Sequence, residues 1–149
     1  MRTRITDLLG IEYPILCGGM MHVGRAHLVA AVAEAGGIGF ITSAHYETPQ
    51  DLRKDIRLAK QLTKKPIGVN IIVNPRRKLP NFEFIDVLLE EGIRIVETAG
   101  ANPEKYMKVL KDNNVTIIHK VPAVRYAKTA ERLGVDAVTI IGTEAGGPP

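Results

Sequence analysis

Short apolar runs of strand length recur along this chain at intervals of roughly 20–30 residues, and stretches of helical periodicity lie between them. Such a repeat predicts βαβ units, and therefore a parallel sheet covered by helices. Six strands are predicted, at residues 14–17, 38–42, 67–73, 93–97, 115–119 and 137–141. This alternation restricts the chain to the α/β class.

Helix start and stop signals fall between the predicted strands. Thr48-Pro49 and Asn102-Pro103 each combine an N-cap residue with a proline suited to the first turn. Glycines end three of the predicted helices, since glycine readily adopts the left-handed conformation of a helix C-terminus. The sequence predicts helices at residues 25–34, 48–62, 80–92, 102–110 and 123–133.

The number of strands leaves two architectures, an open doubly wound sheet or part of an eight-stranded barrel, which normally needs about 250 residues. The chain has 149 residues, enough for one core, so we expect a single domain spanning residues 1–149. A doubly wound domain should finish on a helix that covers its last strand, whereas this chain finishes in a glycine-rich loop. We therefore predict an incomplete TIM-type (β/α) barrel, with about six of the eight units.

Composition disfavours several classes of function. Aromatic residues make up 5% of the chain and Trp is absent, which argues against stacking on nucleic acid. The net charge of +4 comes from basic residues interleaved with acids, as in residues 51–55. Cys17 is the only cysteine, and the first twenty residues contain no long apolar run. We expect a cytoplasmic protein that acts on a small-molecule substrate and binds neither nucleic acid nor membrane.

Polar and small residues follow the predicted strands, at the edge where both architectures place their ligands. Asn70 interrupts a buried apolar strand, so its amide needs partners that a ligand can supply. Lys120 follows an apolar run and is expected to point into the barrel mouth, or alternatively to reach solvent. Glycines here either admit a flat cofactor or simply form tight turns. The set comprises Gly18, Gly19, Met20, Thr42, Ser43, Asn70, Asn74, Glu97, Thr98, Gly100, His119, Lys120 and residues 142–147.

His119 is a candidate acid or base, or else a strand histidine that bonds its neighbours. Strand alternation puts it on the face opposite Lys120. No spacing of His, Cys or carboxylate residues resembles a metal site, so no metal is expected.

Together these residues resemble the nitronate monooxygenases, long called 2-nitropropane dioxygenases, and specifically the N-terminal part of their FMN-dependent barrel. The resemblance covers the whole chain. It rests on residues 3–11 and 13–15, the Gly-Gly-Met of 18–20, and residues 35–39, 65–70, 96–100, 119–120, 134–137 and 142–147.

The resemblance implies FMN as the cofactor, with Gly19, Met20, Asn70 and Lys120 lining the isoalloxazine ring. It also implies that Ala145 and Gly146 or Gly147 pack nearby. The full cofactor-binding set that we predict is Gly18, Gly19, Met20, Asn70, Lys120, Ala145, Gly146 and Gly147.

The sequence departs from the family in two respects. Relatives typically carry a histidine base directly after the last two glycines, where this chain has Pro148, so the catalytic residue is left unassigned, with His119 as a candidate. The family's phosphate site lies after strands seven and eight, which are not part of this sequence. Open edges at the first and sixth strands favour association, so a homo-oligomer is expected.

The resemblance implies an FMN-dependent oxidoreductase that oxidises alkyl nitronates or nitroalkanes with oxygen. One alternative is an FMN-dependent enoyl-acyl-carrier-protein reductase, which uses a nicotinamide donor. Another is a non-catalytic half-barrel that self-associates. Schiff-base chemistry at Lys120 is disfavoured, because no neighbouring cation is expected to lower the lysine pKa.

Overall fold

The computed structural model describes residues 2–76 and 79–145 of the chain. Helices and strands alternate throughout. In order, the elements are α1 (Arg4–Leu9), β1 (Leu16–Cys17), α2 (Ala26–Glu34), β2 (Ile38–Thr42), a 3₁₀ turn (Ser43–His45), α3 (Pro49–Leu62), β3 (Gly68–Val73), α4 (Asn81–Glu90), β4 (Ile95–Gly100), α5 (Glu104–Asp112), β5 (Thr116–Val121), α6 (Val124–Arg132) and β6 (Ala137–Ile140).

The six strands form one parallel sheet in the order β1-β2-β3-β4-β5-β6. Each strand therefore pairs with the next strand along the chain. A doubly wound sheet would reverse its strand order at a switch point, which this sheet does not do. The order is that of a barrel wall, and the prediction of an incomplete TIM-type barrel is confirmed.

Side chains of successive strand residues alternate between two cores, as strand geometry requires. Outward residues such as Ile41, Val69 and Ile117 pack with the helices in the larger core cluster. Inward residues such as Phe40 and Ile118 form a smaller cluster on the concave side of the sheet. Any polar side chain on an inward position therefore faces the barrel interior.

Helix α1 was not predicted from the sequence. Thr3 and Thr6 form a reciprocal capping box at its start, and Gly10 ends it in the left-handed region at φ 66°. Leu9, which is 2% exposed, packs against the inward residues Ile38 and Phe40. The helix thus contributes to the inner core.

The strand boundaries also differ from the predicted ones. β1 contains only Leu16–Cys17, and β4 continues to Gly100 instead of ending at residue 97. Pairing between Val73 and Gly100 carries β4 beyond its apolar residues. Similarly, β5 reaches Val121, which pairs with Ile140 of β6. Thr98, Gly100 and Lys120 consequently lie within strands, and Glu97 and His119 lie inside their strands instead of at the last residue.

Within the two described ranges, no helix combines the length and apolar character needed to cross a membrane.

Candidate functional site

A buried carboxylate lies at the centre of the polar cluster inside the barrel. Glu97 is 2% exposed and stands on the inner side of β4. Its Oε2 accepts hydrogen bonds from the Asn70 Nδ2, at 2.7 Å, and from the Gly19 backbone N–H, at 3.0 Å. The β3–β4 register makes Asn70 and Glu97 direct partners, so both point to the same face.

Lys120 supplies the positive charge of this cluster. Its Nζ lies 3.2 Å from Glu97 Oε2, and its side chain remains 20% exposed. A buried carboxylate is costly unless it is paired and hydrogen-bonded, and here the amide donors and the ammonium group meet that need. The cluster joins the segment after β1 to β3, β4 and β5.

Two glycines make room for the side chains of this cluster. A Cβ atom on Gly18 would lie 2.6 Å from Lys120 Nζ, and one on Gly19 would lie 2.5 Å from Asn70 Cβ. Both distances are too short for real contacts. The glycines therefore accommodate protein side chains, a role that the sequence did not suggest.

Met20 lies at the edge of the cluster and is 42% exposed. The hydroxyl group of Thr42, at the end of β2, donates a hydrogen bond to the Met20 carbonyl oxygen at 3.1 Å. The Gly-Gly-Met segment is thus tied to β2 by Thr42 and to β4 by Glu97. The thioether side chain of Met20 offers an accessible apolar surface beside the polar groups.

His119 lies on the other side of the sheet, as strand alternation predicted. It is 5% exposed, and its Nδ1 is 2.8 Å from Thr98 Oγ1. Burial lowers the pKa of His119, while a hydrogen bond to the Thr98 backbone acts in the opposite direction. The ring lines a cavity of about 460 Å³ that Tyr126 and Ala130 of α6 also line. Lys120 also lines this cavity, but its Nζ pairs with Glu97 on the other face of the sheet. The catalytic role of His119 stays a prediction.

The loop after β6 contains the remaining predicted residues. Ala145 is exposed, and its N–H donates to the Gly142 carbonyl oxygen at 3.2 Å. Gly146, Gly147 and Pro148 lie outside the described residues. Their predicted roles therefore stay predictions.

Glu97 is the residue that sequence reasoning undervalued. It was included among the residues at the strand ends but not among those expected to bind the cofactor. A signal was available, because an acidic residue within an apolar strand needs partners just as Asn70 does. The described residues contain no group of three or more His, Cys, Asp or Glu side chains arranged to hold a metal ion.

Comparisons with known proteins agree with this architecture. The chain is 36% identical to the (3aS,4S,5R,7aS)-5-hydroxy-7a-methyl-1-oxo-octahydro-1H-indene-4-carboxyl-CoA dehydrogenase of Rhodococcus jostii, over 99% of its own length and 40% of that protein. It is 30% identical to a probable nitronate monooxygenase of Staphylococcus aureus, over 98% of its length and 50% of the relative. The chain thus spans half or less of these relatives.

Solved structures match as well. FabK from Thermotoga maritima superposes with a TM-score of 0.89 at 45% identity, covering 99% of this chain and 46% of FabK. Nitroalkane oxidase from Streptomyces ansochromogenes gives a TM-score of 0.80 at 24% identity, covering 97% of this chain and 50% of the oxidase, and supports the fold alone. The family model described as nitronate monooxygenase matches residues 2–148, and the chain therefore belongs to the nitronate monooxygenase family.

Proposed function

We propose that this chain forms the flavin-facing side of an FMN-dependent oxidoreductase, with residues 1–149 acting as one domain. The observation that carries the proposal is the Glu97-centred cluster of Asn70, Lys120 and Gly19 inside the barrel wall. The proposed cofactor-binding residues are Gly18, Gly19, Met20, Asn70, Lys120, Ala145, Gly146 and Gly147.

The cluster offers groups that suit a flavin. Lys120 presents an ammonium donor, and Asn70 donates through Nδ2 to Glu97, which leaves its Oδ1 as an acceptor. The flavin pyrimidine edge carries an N–H flanked by carbonyl oxygens, so it can use both groups. Met20 adds apolar surface for the ring. When bound, FMN supplies two-electron oxidation and reduction.

In this proposal, the protein positions groups and stabilises charge. Lys120 stabilises negative charge that develops beside it, because a fixed ammonium group in a partly buried site is more effective than in water. Glu97 holds Lys120 and Asn70 in place. Substrate enters at the carboxyl ends of the strands, where Met20 is exposed.

The first candidate reaction is oxidation of an alkyl nitronate or nitroalkane by oxygen. The family match and the 30% identity to a probable nitronate monooxygenase support it. A nitronate is already deprotonated, so its oxidation has less need of the histidine base that Pro148 replaces.

The second candidate is nicotinamide-dependent reduction of an enoyl thioester. It is favoured by the higher identity to FabK, an enoyl-acyl-carrier-protein reductase, at 45%. The 36% identity to a dehydrogenase whose name specifies a CoA-linked substrate points the same way. On these identities we favour reduction over nitronate oxidation.

The visible absorption spectrum of the purified protein, before and after denaturation, tests for the cofactor. We expect a flavin spectrum near one equivalent, with release of FMN on denaturation. A colourless protein that stays colourless after addition of FMN would contradict the proposal. Flavin reduction by NADH or NADPH without a nitronate supports the reductase, whereas nitronate-dependent oxygen consumption supports the monooxygenase.

The sequence also led us to expect a cytoplasmic homo-oligomer that acts on a small molecule. These expectations remain part of the proposal. Separating soluble and membrane fractions of the source cells, with detection by antibody, tests the location.

A further inference from the structure

One oxygen atom of Glu97 contacts a backbone N–H and two side chains that come from three separate parts of the chain. Oε2 accepts from Gly19 after β1 and from Asn70 on β3, and it pairs with Lys120 on β5. Since Glu97 is 2% exposed, these contacts are shielded from water and are correspondingly strong. Both Asn70 and Lys120 therefore depend on the same buried charge.

The hydrogen bond to Glu97 determines which end of the Asn70 amide is available. A carboxylate accepts but cannot donate, so the amide must turn Nδ2 toward Oε2. The Oδ1 atom then faces away from Glu97, and no hydrogen-bond partner for it occurs among residues 2–76 and 79–145. Asn70 is thus presented as an acceptor.

Lys120 is held by an ion pair with Glu97. Its Nζ is within ion-pair distance of Oε2, and it occupies the space that a side chain at residue 18 would fill. The Lys120 side chain is 20% exposed, so part of it remains accessible beside the ion pair. A donor and an acceptor therefore lie beside each other on the inner side of the sheet, where Asn70 is 2% and the Lys120 side chain 20% exposed.

We propose that Glu97 is a positioning residue that presents Asn70 as an acceptor and Lys120 as a donor to one ligand edge. The matching edge carries an N–H beside a carbonyl or anionic oxygen, as in a cyclic imide. The identity of the ligand in this inference rests on the proposed function. The orientation of the Asn70 and Lys120 side chains rests on their contacts with Glu97 alone.

The ligand-free protein gives the first test. The Asn70 side-chain amide should show slow hydrogen exchange in the ¹⁵N–¹H spectrum, because one N–H is buried against Oε2. In Glu97→Ala this protection should disappear. Glu97→Gln should keep it, since its Oε1 can still accept, but should change the Lys120 Nζ resonance because the negative charge is lost. The exposed Glu83→Gln is the matched control and should change neither signal.

The second test measures the dissociation constant of FMN by quenching of its fluorescence. We expect Glu97→Gln to weaken binding about tenfold and Glu97→Ala by up to about 100-fold, with Glu83→Gln unchanged. If Asn70 is equally protected in the wild-type protein and in Glu97→Ala, the positioning role is wrong. If that protection is lost as expected but wild-type protein binds no FMN, the proposed function fails and the positioning role stands.

Should Glu97→Ala fail to fold, Glu97→Gln alone decides, because it keeps the size of the side chain. An unchanged Lys120 resonance together with unchanged FMN affinity in Glu97→Gln would overturn the proposal.

Discussion

Two carboxylates, Glu97 and Asp55, are buried within the described part of the chain. Asp55 lies in the helix layer, on α3. Its Oδ2 accepts from the Tyr46 hydroxyl at 2.5 Å and from the Ala26 N–H, in the first turn of α2, at 2.9 Å. Arg25, directly before α2, has no side-chain cap bond of its own. Asp55, on the neighbouring helix α3, therefore caps the N-terminus of α2.

Tyr46→Phe tests this contact through its pH dependence. Burial, and then the hydrogen bond to Asp55, raise the pKa of Tyr46 above its ordinary 10.0. The folded state therefore holds the phenolic proton more tightly, and the stabilisation is present below pH 10 and decreases as pH rises above it.

Near pH 8 the free energy of unfolding should be about 1 kcal/mol higher for the wild-type protein than for Tyr46→Phe. That difference should shrink at about pH 11, as measured by urea unfolding at both pH values. A difference that stays constant with pH would show that the Tyr46 proton is not linked to folding.

Gly19→Ala and Gly18→Ala form a matched pair. Alanine at residue 19 would place Cβ against the Asn70 Cβ, which is held by the backbone, so we expect about 1–3 kcal/mol of destabilisation. At residue 18 the closest clash is with the flexible end of Lys120, and Glu97 Oε1 follows at 3.2 Å, so a smaller loss than at residue 19 is expected. Urea unfolding midpoints check the order, and equal losses would contradict it.

At the scale of elements, α1 gives a clear test of the inner core. Leu9→Ala removes a side chain that is 2% exposed and packs on Ile38 and Phe40, so the free energy of unfolding should fall by about 2–5 kcal/mol. Leu8 is its neighbour on the same helix but is 38% exposed. Leu8→Ala should therefore cost no more than about 1 kcal/mol. Equal costs in chemical unfolding would place Leu9 outside the core.

The sequence predicted most elements because their patterns are long enough to read. β2 was predicted at residues 38–42 and found there, since all five residues are buried and apolar or small. α1 has only six residues, too few for a helical period to repeat, and its capping box uses Thr6 where glutamate or glutamine is usual. β4 was predicted too short, because its last residues are held by pairing with β3.

Part of the site was also predictable. Asn70 and Lys120 stood out as polar residues in apolar strands, and the structure places both beside Glu97. The sequence alone does not predict which donor group contacts which oxygen atom of Glu97. That depends on strand register, which places Asn70 opposite Glu97 and depends on contacts distant in sequence.

At the scale of the whole molecule, the outer face of β6 is more exposed than the outer faces of the central strands β3 and β4. Val69 and Val96 face the helix layer and are fully buried, whereas Val138 and Ile140 of β6 are 41% and 57% exposed. Exposed apolar groups that adjoin one another mark an interaction surface. Self-association stays a prediction, and the exposed apolar residues of β6 offer a place to test it.

Replacing Ile140 with lysine should weaken that association, because a charge buried in an interface must lose its hydration. Sedimentation velocity over a range of protein concentrations should show the wild-type protein in reversible exchange between monomer and oligomer, and Ile140→Lys shifted toward monomer. Leu62→Lys is the control, since Leu62 is 44% exposed at the end of α3 and is not part of β6. It should behave as the wild type. A wild-type protein that remains monomeric at every concentration would mean that the β6 face does not bind a second copy.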